Sequence, residues 1–141
     1  MLKNHWHLLC VTSSLLITSF FFFLFFSSHS LIECILAALL ISVLITSQLF
    51  WYNPIRYSLL HRIDACIAKI TILCFIIYTF LTKLQDNIHL FFYILLLLVL
   101  FSMAILSEYY SQKEWLSTHH ILFHGLLHIC SFIGTFFAFY P

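Results

Sequence analysis

One stretch, HHILFHGLLHICS at residues 119–131, lies in an apolar run that extends to Tyr140. The length and composition of this run predict a helix that crosses a membrane. On such a helix His120, His124 and His128 follow one another at i, i+4 and i+8, so their side chains lie along one face. Hydrocarbon penalises polar side chains unless they face protein, water or a metal, so this face is a candidate functional site. Plain hydrogen bonds to neighbouring helices are the competing explanation.

The composition of the whole chain is that of an integral membrane protein. Of its 141 residues, 63% are hydrophobic and only 8% are charged, and the mean hydropathy is +1.07. Soluble domains carry about 25% charged residues. The net charge of +1 gives no basis for binding nucleic acid. The sequence also lacks the alternating pattern of an outer-membrane barrel, which favours helices.

Five apolar segments are long enough to cross a bilayer as helices. We predict helices over residues 9–26, 31–51, 61–81, 88–106 and 118–139. Because the connections are short, we expect residues 1–141 to form a single domain, an all-α transmembrane bundle of about five helices. One alternative stays open for the first segment, because a basic residue, an apolar run and the small residues Ser28 and Ser30 are also typical of a cleavable signal peptide.

Basic residues near the ends of the segments predict the orientation of the chain. Lys3, Arg56, Arg62 and Lys113 lie on the side of the N-terminus, whereas only Lys83 lies on the other side. The positive-inside rule therefore predicts a cytosolic N-terminus and a C-terminus on the opposite side of the membrane.

This topology places several polar side chains at a similar depth. Ser47 lies near the end of the second segment, His61 and Asp64 lie at the start of the third, and His124 and His128 lie in the first half of the fifth. All five belong to the cytosolic half of the predicted bundle. We therefore expect them to share a pocket in the cytosolic leaflet.

The residue types in this pocket suit a zinc ion. Neutral imidazoles bind Zn²⁺ well, and three protein ligands with an open fourth position are typical of a catalytic site. We predict that His61, His124 and His128 are the zinc ligands and that Asp64 orients an imidazole or a bound water. The alternative is an ordinary interfacial start of the third helix, where the helix dipole favours Asp64.

The same residues resemble the CREST superfamily of membrane hydrolases. That group includes alkaline ceramidases, the progestin and adiponectin receptors with haemolysin-III-like proteins, and Per1-like lipid-remodelling factors. The resemblance rests on the paired histidines of FHGLLHI (His124 and His128), on Asp64 and Ser47, and on Glu33 as an acidic residue of the preceding region. It implies zinc-dependent hydrolysis of an amide or ester bond in a membrane lipid, with Asp64 as proton acceptor and Ser47 stabilising charge on the carbonyl oxygen.

The sequence departs from the family pattern at two points. Trp51 stands where the family carries its third histidine ligand, so His61 is predicted to take over that role. The chain also has five predicted spans where the family has seven. Two other functions stay open: a non-catalytic membrane protein, such as a degenerate family member or a helper subunit, and a conductor of protons or metal ions.

Overall fold

The computed structural model describes residues 5–140. Five helices follow one another along the chain: α1 (His7–Phe26), α2 (Leu31–Tyr52), α3 (Leu59–Thr82), α4 (Asn87–Lys113) and α5 (Thr118–Phe139). All five are long and apolar enough to cross a membrane, and the described residues contain no strand. The predicted all-α membrane bundle is confirmed.

The fourth helix is longer than its apolar segment predicted. It continues through Glu108 to Lys113, beyond the predicted end at residue 106. Two of its polar side chains, Ser107 and Ser111, are buried in the bundle, and Gln112 Nε2 donates to Glu108 Oε1 across one turn, at 2.8 Å. Burial and i,i+4 pairing therefore extend the helix beyond its apolar part.

Three helices begin with the same local structure. A residue with positive φ is followed by a serine N-cap, whose hydroxyl accepts the backbone N–H three residues later. The three sets are His29 with Ser30 and Glu33, Tyr57 with Ser58 and His61, and Leu116 with Ser117 and His120. Each cap satisfies a backbone donor that the first turn of a helix leaves unpaired. The entry to α2, α3 and α5 is thus fixed by local hydrogen bonds.

The first helix is an integral part of the bundle, packing against both α2 and α5. Gln48 Nε2 of α2 donates to the Cys10 carbonyl at 2.7 Å and to Ser13 Oγ at 2.8 Å. Thr135 Oγ1 of α5 donates to Ser19 Oγ at 2.7 Å. These polar contacts join α1 to its neighbours α2 and α5.

Among the described residues, α3 and α4 have no extensive interface with each other. α5 packs on α1, α4 and α3, and α2 packs on α3, but α3 and α4 form no comparable interface within residues 5–140. The aromatic rings of Phe80 on α3 and Tyr93 on α4 are in contact, near the turn that connects the two helices. The two helices therefore separate as they leave that turn.

The connecting loops lie on two faces of the bundle. Trp115 Nε1 donates to the Pro54 carbonyl at 3.4 Å, which places loops 53–58 and 114–117 on one face, here called the N-terminal face. On the other face, here called the C-terminal face, Lys83 Nζ lies 3.2 Å from Glu33 Oε1. The side of the membrane to which each face belongs stays a prediction.

Candidate functional site

A cavity of about 760 Å³ lies where α3 and α4 separate. Its volume falls in the range of about 300–1,000 Å³ that is usual for small-molecule sites. Most of its lining is apolar, for example Ile72, Leu97 and Leu100. All the candidate site residues also line it, namely Ser47, His61, Asp64, His124 and His128. The helices therefore bring residues from three separate segments to the wall of one cavity.

Asp64 is held by hydroxyl groups from the neighbouring helix α2. Ser47 Oγ donates to Asp64 Oδ1 at 2.7 Å, and Thr46 Oγ1 donates to the same oxygen at 3.1 Å. Both Ser47 and Asp64 are buried. No lysine or arginine among residues 5–140 forms an ion pair with Asp64. The carboxyl group can therefore accept a hydrogen bond or a proton from a molecule in the cavity.

His124 and His128 form an edge-to-face pair, with ring centroids 4.8 Å apart. Nδ1 of His124 lies 3.0 Å from Ser107 Oγ of α4, and Nδ1 of His128 lies 2.9 Å from Thr12 Oγ1 of α1. If each Nδ1–H donates to its hydroxyl, each Nε2 keeps a lone pair for a proton or a metal ion. The sequence pattern did not predict these two hydroxyl partners.

His61 and His120 have a different role, since each ring accepts a backbone hydrogen bond at the N-terminus of its own helix. Nδ1 of His61 accepts the Tyr57 backbone N–H at 3.0 Å, and Nδ1 of His120 accepts the Leu116 N–H at 3.2 Å. A neutral imidazole that accepts at Nδ1 carries its proton on Nε2. Each ring therefore offers an N–H donor at Nε2 and has no lone pair left there for a metal.

The residues that the structure describes do not form a three-ligand zinc site. Within residues 5–140, no three His, Cys, Asp or Glu side chains lie close enough together to hold one metal ion. The structure brings Ser47 to Asp64 and His124 to His128, but His61 is engaged at the start of α3 instead of completing the pair. In this arrangement the residues do not fit three-histidine coordination, and zinc binding stays a prediction.

Trp51 fills the space beside the histidines. Its side chain is 1% exposed, and its ring lies 4.8 Å from that of His124 and 6.2 Å from those of His120 and Trp115. Its Nε1 is buried and has no hydrogen-bond partner among the described residues. Buried donors are seldom left unpaired in proteins, so this atom calls for an explanation.

Glu33 lies away from the cavity. Its side chain is fully buried and accepts from Tyr78 OH at 2.6 Å and from Ser27 Oγ at 2.7 Å, beside Lys83 on the C-terminal face. Its contacts are those of a structural residue that joins α2, α3 and the loop between α1 and α2.

No family model matches the sequence, and neither curated proteins nor solved structures show significant similarity to it. The resemblance to CREST hydrolases therefore stays a prediction. What the sequence and the fold establish together is a multi-pass integral membrane protein with five helices long and apolar enough to span a bilayer.

Proposed function

We propose that this membrane protein binds a lipid in the cavity between α3 and α4. The observation that carries this proposal is the combination of a mainly apolar cavity of about 760 Å³ with a polar wall that contains Ser47, Asp64, His124 and His128. A lipid has the same division, with an apolar chain and a polar head group. Apolar pockets with a few convergent polar groups are typical ligand sites.

The surroundings of the cavity support entry from the bilayer. Leu73 of α3 and Phe101 of α4 line the cavity and are also more than half exposed, at 57% and 51%. Side chains with both properties stand at an opening to the outside of the bundle. In a spanning helix that outside is the hydrocarbon of the bilayer, so an acyl chain can enter without crossing water.

Lipid retention by cavity-filling variants tests the proposal. Ala68→Trp on α3 and Ala104→Trp on α4 place an indole in the cavity, because both alanines line it. Ala38→Trp is the matched control, since Ala38 lies on the exposed side of α2, away from the cavity. Native mass spectrometry after exhaustive detergent washing should show bound lipid on the wild type and on Ala38→Trp, and little on the other two.

Equal lipid retention by all four folded proteins would contradict a cavity-bound lipid. The folded state of each variant is checked by its unfolding transition in detergent. A variant that has lost its transition is replaced by the smaller Ala104→Leu change, which fills part of the same space.

We propose zinc-dependent hydrolysis of a lipid amide or ester bond as a second candidate. It is favoured by the Ser47–Asp64 hydrogen bond and the His124–His128 pair, both on the wall of one cavity. Metal analysis should then give one zinc per chain, lost in His124→Ala and His128→Ala and retained in His120→Ala. Purified wild type without zinc, or equal zinc in all three variants, would contradict it.

A further inference from the structure

Lys69 is a charged residue in the middle of the membrane-spanning helix α3. It is the eleventh of the 24 residues of this helix, which places it about 15 Å along the axis from the N-terminal end. An ammonium group at that depth is costly unless it meets water, an opposite charge or a polar ligand. A lysine in the middle of a span therefore indicates a functional site.

Lys69 lies on the face of α3 that lines the cavity. It shares one helical stripe with Ala65, Ile72 and Ile76, and all four residues line the cavity. The Lys69 side chain is exposed and stands one turn before Leu73, which lies at the opening to the bilayer. Because the stem of a lysine is long and flexible, a ligand that enters through this opening can meet the ammonium group.

The described part of the chain offers no acidic partner to Lys69. The ion pairs among residues 5–140 involve Glu33 and Asp86 but not Lys69. Asp64 stands five residues earlier on α3, which is about 140° around the helix and about 7.5 Å along it. Its carboxylate accepts hydroxyl groups of α2 instead. The charge of Lys69 is therefore not balanced by the described residues of its own chain.

A second copy of the chain does not offer a suitable negative charge either. The acidic residues of the chain are Glu33, Asp64, Asp86, Glu108 and Glu114. The first two are buried, and the other three lie near or beyond the ends of α4, away from the middle of the membrane. A ligand in the cavity is the remaining source of negative charge at this depth.

We propose that the cavity between α3 and α4 takes an anionic lipid, whose carboxylate or phosphate oxygens bind the ammonium group of Lys69 while its chain fills the apolar part. This inference rests on the proposed lipid-binding function and adds the charge of the head group. The lining residues on α4 run from Tyr93 to Ser111, about 27 Å along the axis, which leaves room for an extended chain. A neutral lipid of the same length fills the same space but leaves the charge of Lys69 unbalanced.

Three probes with the same sixteen-carbon chain separate the effect of charge from that of chain length: hexadecanoate, hexadecyl phosphate and the neutral hexadecan-1-ol. Their affinities for the purified full chain are measured by native mass spectrometry in detergent at about pH 8, above the usual pKa of a carboxyl group. Because hydrogen bonds between charged groups are the stronger ones, the wild type should bind at least one anion roughly tenfold or more tightly than the alcohol. The anion that binds better identifies the head group as a carboxylate or a phosphate.

Variants of Lys69 test whether this side chain is the source of the preference. Lys69→Met removes the charge, so it should weaken anion binding roughly tenfold or more and leave alcohol binding unchanged. Lys69→Arg retains the charge and should keep the preference for the anion. Lys113→Met is the matched control, because Lys113 is exposed at the end of α4 and does not line the cavity. Its affinities should equal those of the wild type.

The outcomes separate the two proposals. If no probe binds, or if the cavity-filling Ala104→Trp retains all three, both lipid binding and the anion site are contradicted. If the probes bind but the wild type shows no preference for an anion, or if Lys69→Met keeps that preference or weakens all three probes equally, lipid binding stands and the anion site is overturned. A preference that is lost in Lys69→Met and kept in Lys113→Met supports the anion site. Unfolding transitions in detergent show which variants are folded, and Lys69→Gln replaces Lys69→Met if the latter is not.

Discussion

Replacing Glu33 by alanine should destabilise the bundle, because it removes hydrogen bonds and an ion pair at the C-terminal face. Glu33 Oε2 accepts from Ser27 and Ser28, and Oε1 accepts from Tyr78 and lies beside Lys83. The Glu33 side chain is fully buried, while that of Lys83 is 17% exposed. Glu33→Ala therefore removes the shared acceptor of three hydroxyl groups and leaves one largely buried ammonium group unpaired.

The size of the effect follows from this geometry. Removing one partner of a buried ion pair costs about 3–5 kcal/mol. Because Lys83 keeps some access to water and the site lies at a face of the bundle, we expect Glu33→Ala to cost about 3 kcal/mol. Glu33→Gln keeps the shape and one carbonyl oxygen, so its cost should be smaller, about 1–2 kcal/mol.

Reversible unfolding in mixed micelles, with increasing mole fraction of sodium dodecyl sulfate, measures these differences. Glu108→Gln is the control for loss of an acidic residue, since Glu108 is exposed on α4 and should change stability by less than about 0.5 kcal/mol. If Glu33→Ala unfolds with the same midpoint as Glu108→Gln, the hydrogen bonds around Glu33 do not hold α2 and α3 together as described.

Two further predictions concern packing and topology. A Cβ at Gly125 would lie 3.6 Å from Thr12 Cγ2, which is an ordinary contact, so Gly125→Ala should unfold within about 1 kcal/mol of wild type. Gly125→Leu should push α1 away from α5 and cost about 1–3 kcal/mol. Equal unfolding midpoints for the two variants would contradict the close approach of α1 and α5 at Gly125. With the five native cysteines replaced by alanine, single cysteines at Ile55 and Lys113 should react with an impermeant reagent from the cytosolic side and one at Gln85 from the other side, and the reverse pattern would overturn the predicted orientation.

The spans were predictable because each is an apolar run bounded by polar residues. The end of α4 was not, since Ser107 and Ser111 are polar in sequence and become helical through burial. The candidate residues could be assigned to one depth because successive spans cross the membrane in opposite directions. That alternation is a property of any such chain, which is why residues from three segments could be assigned to one region.

The detailed contacts of the site depend on how each helix is rotated about its axis, which the sequence pattern does not fix. Thr12, Thr46 and Ser107, the hydroxyl partners of His128, Asp64 and His124, were missed for this reason. The capping role of His61 and His120 did leave a signal. A serine stands three residues before each of them, at Ser58 and Ser117, and a polar residue at that spacing is typical of a helix N-terminus.

The position of a bound lipid tests the central claim most directly. The purified chain in lipid nanodiscs is irradiated with a lipid that carries a diazirine in its acyl chain, and the labelled residues are mapped by mass spectrometry. Labelling should concentrate on cavity-lining residues of α3 and α4, such as Ala68, Ile72 and Ala104, and should fall when unlabelled lipid is added in excess. Uniform labelling of the outward-facing residues of all five helices, unaffected by that competition, would contradict a lipid site in this cavity.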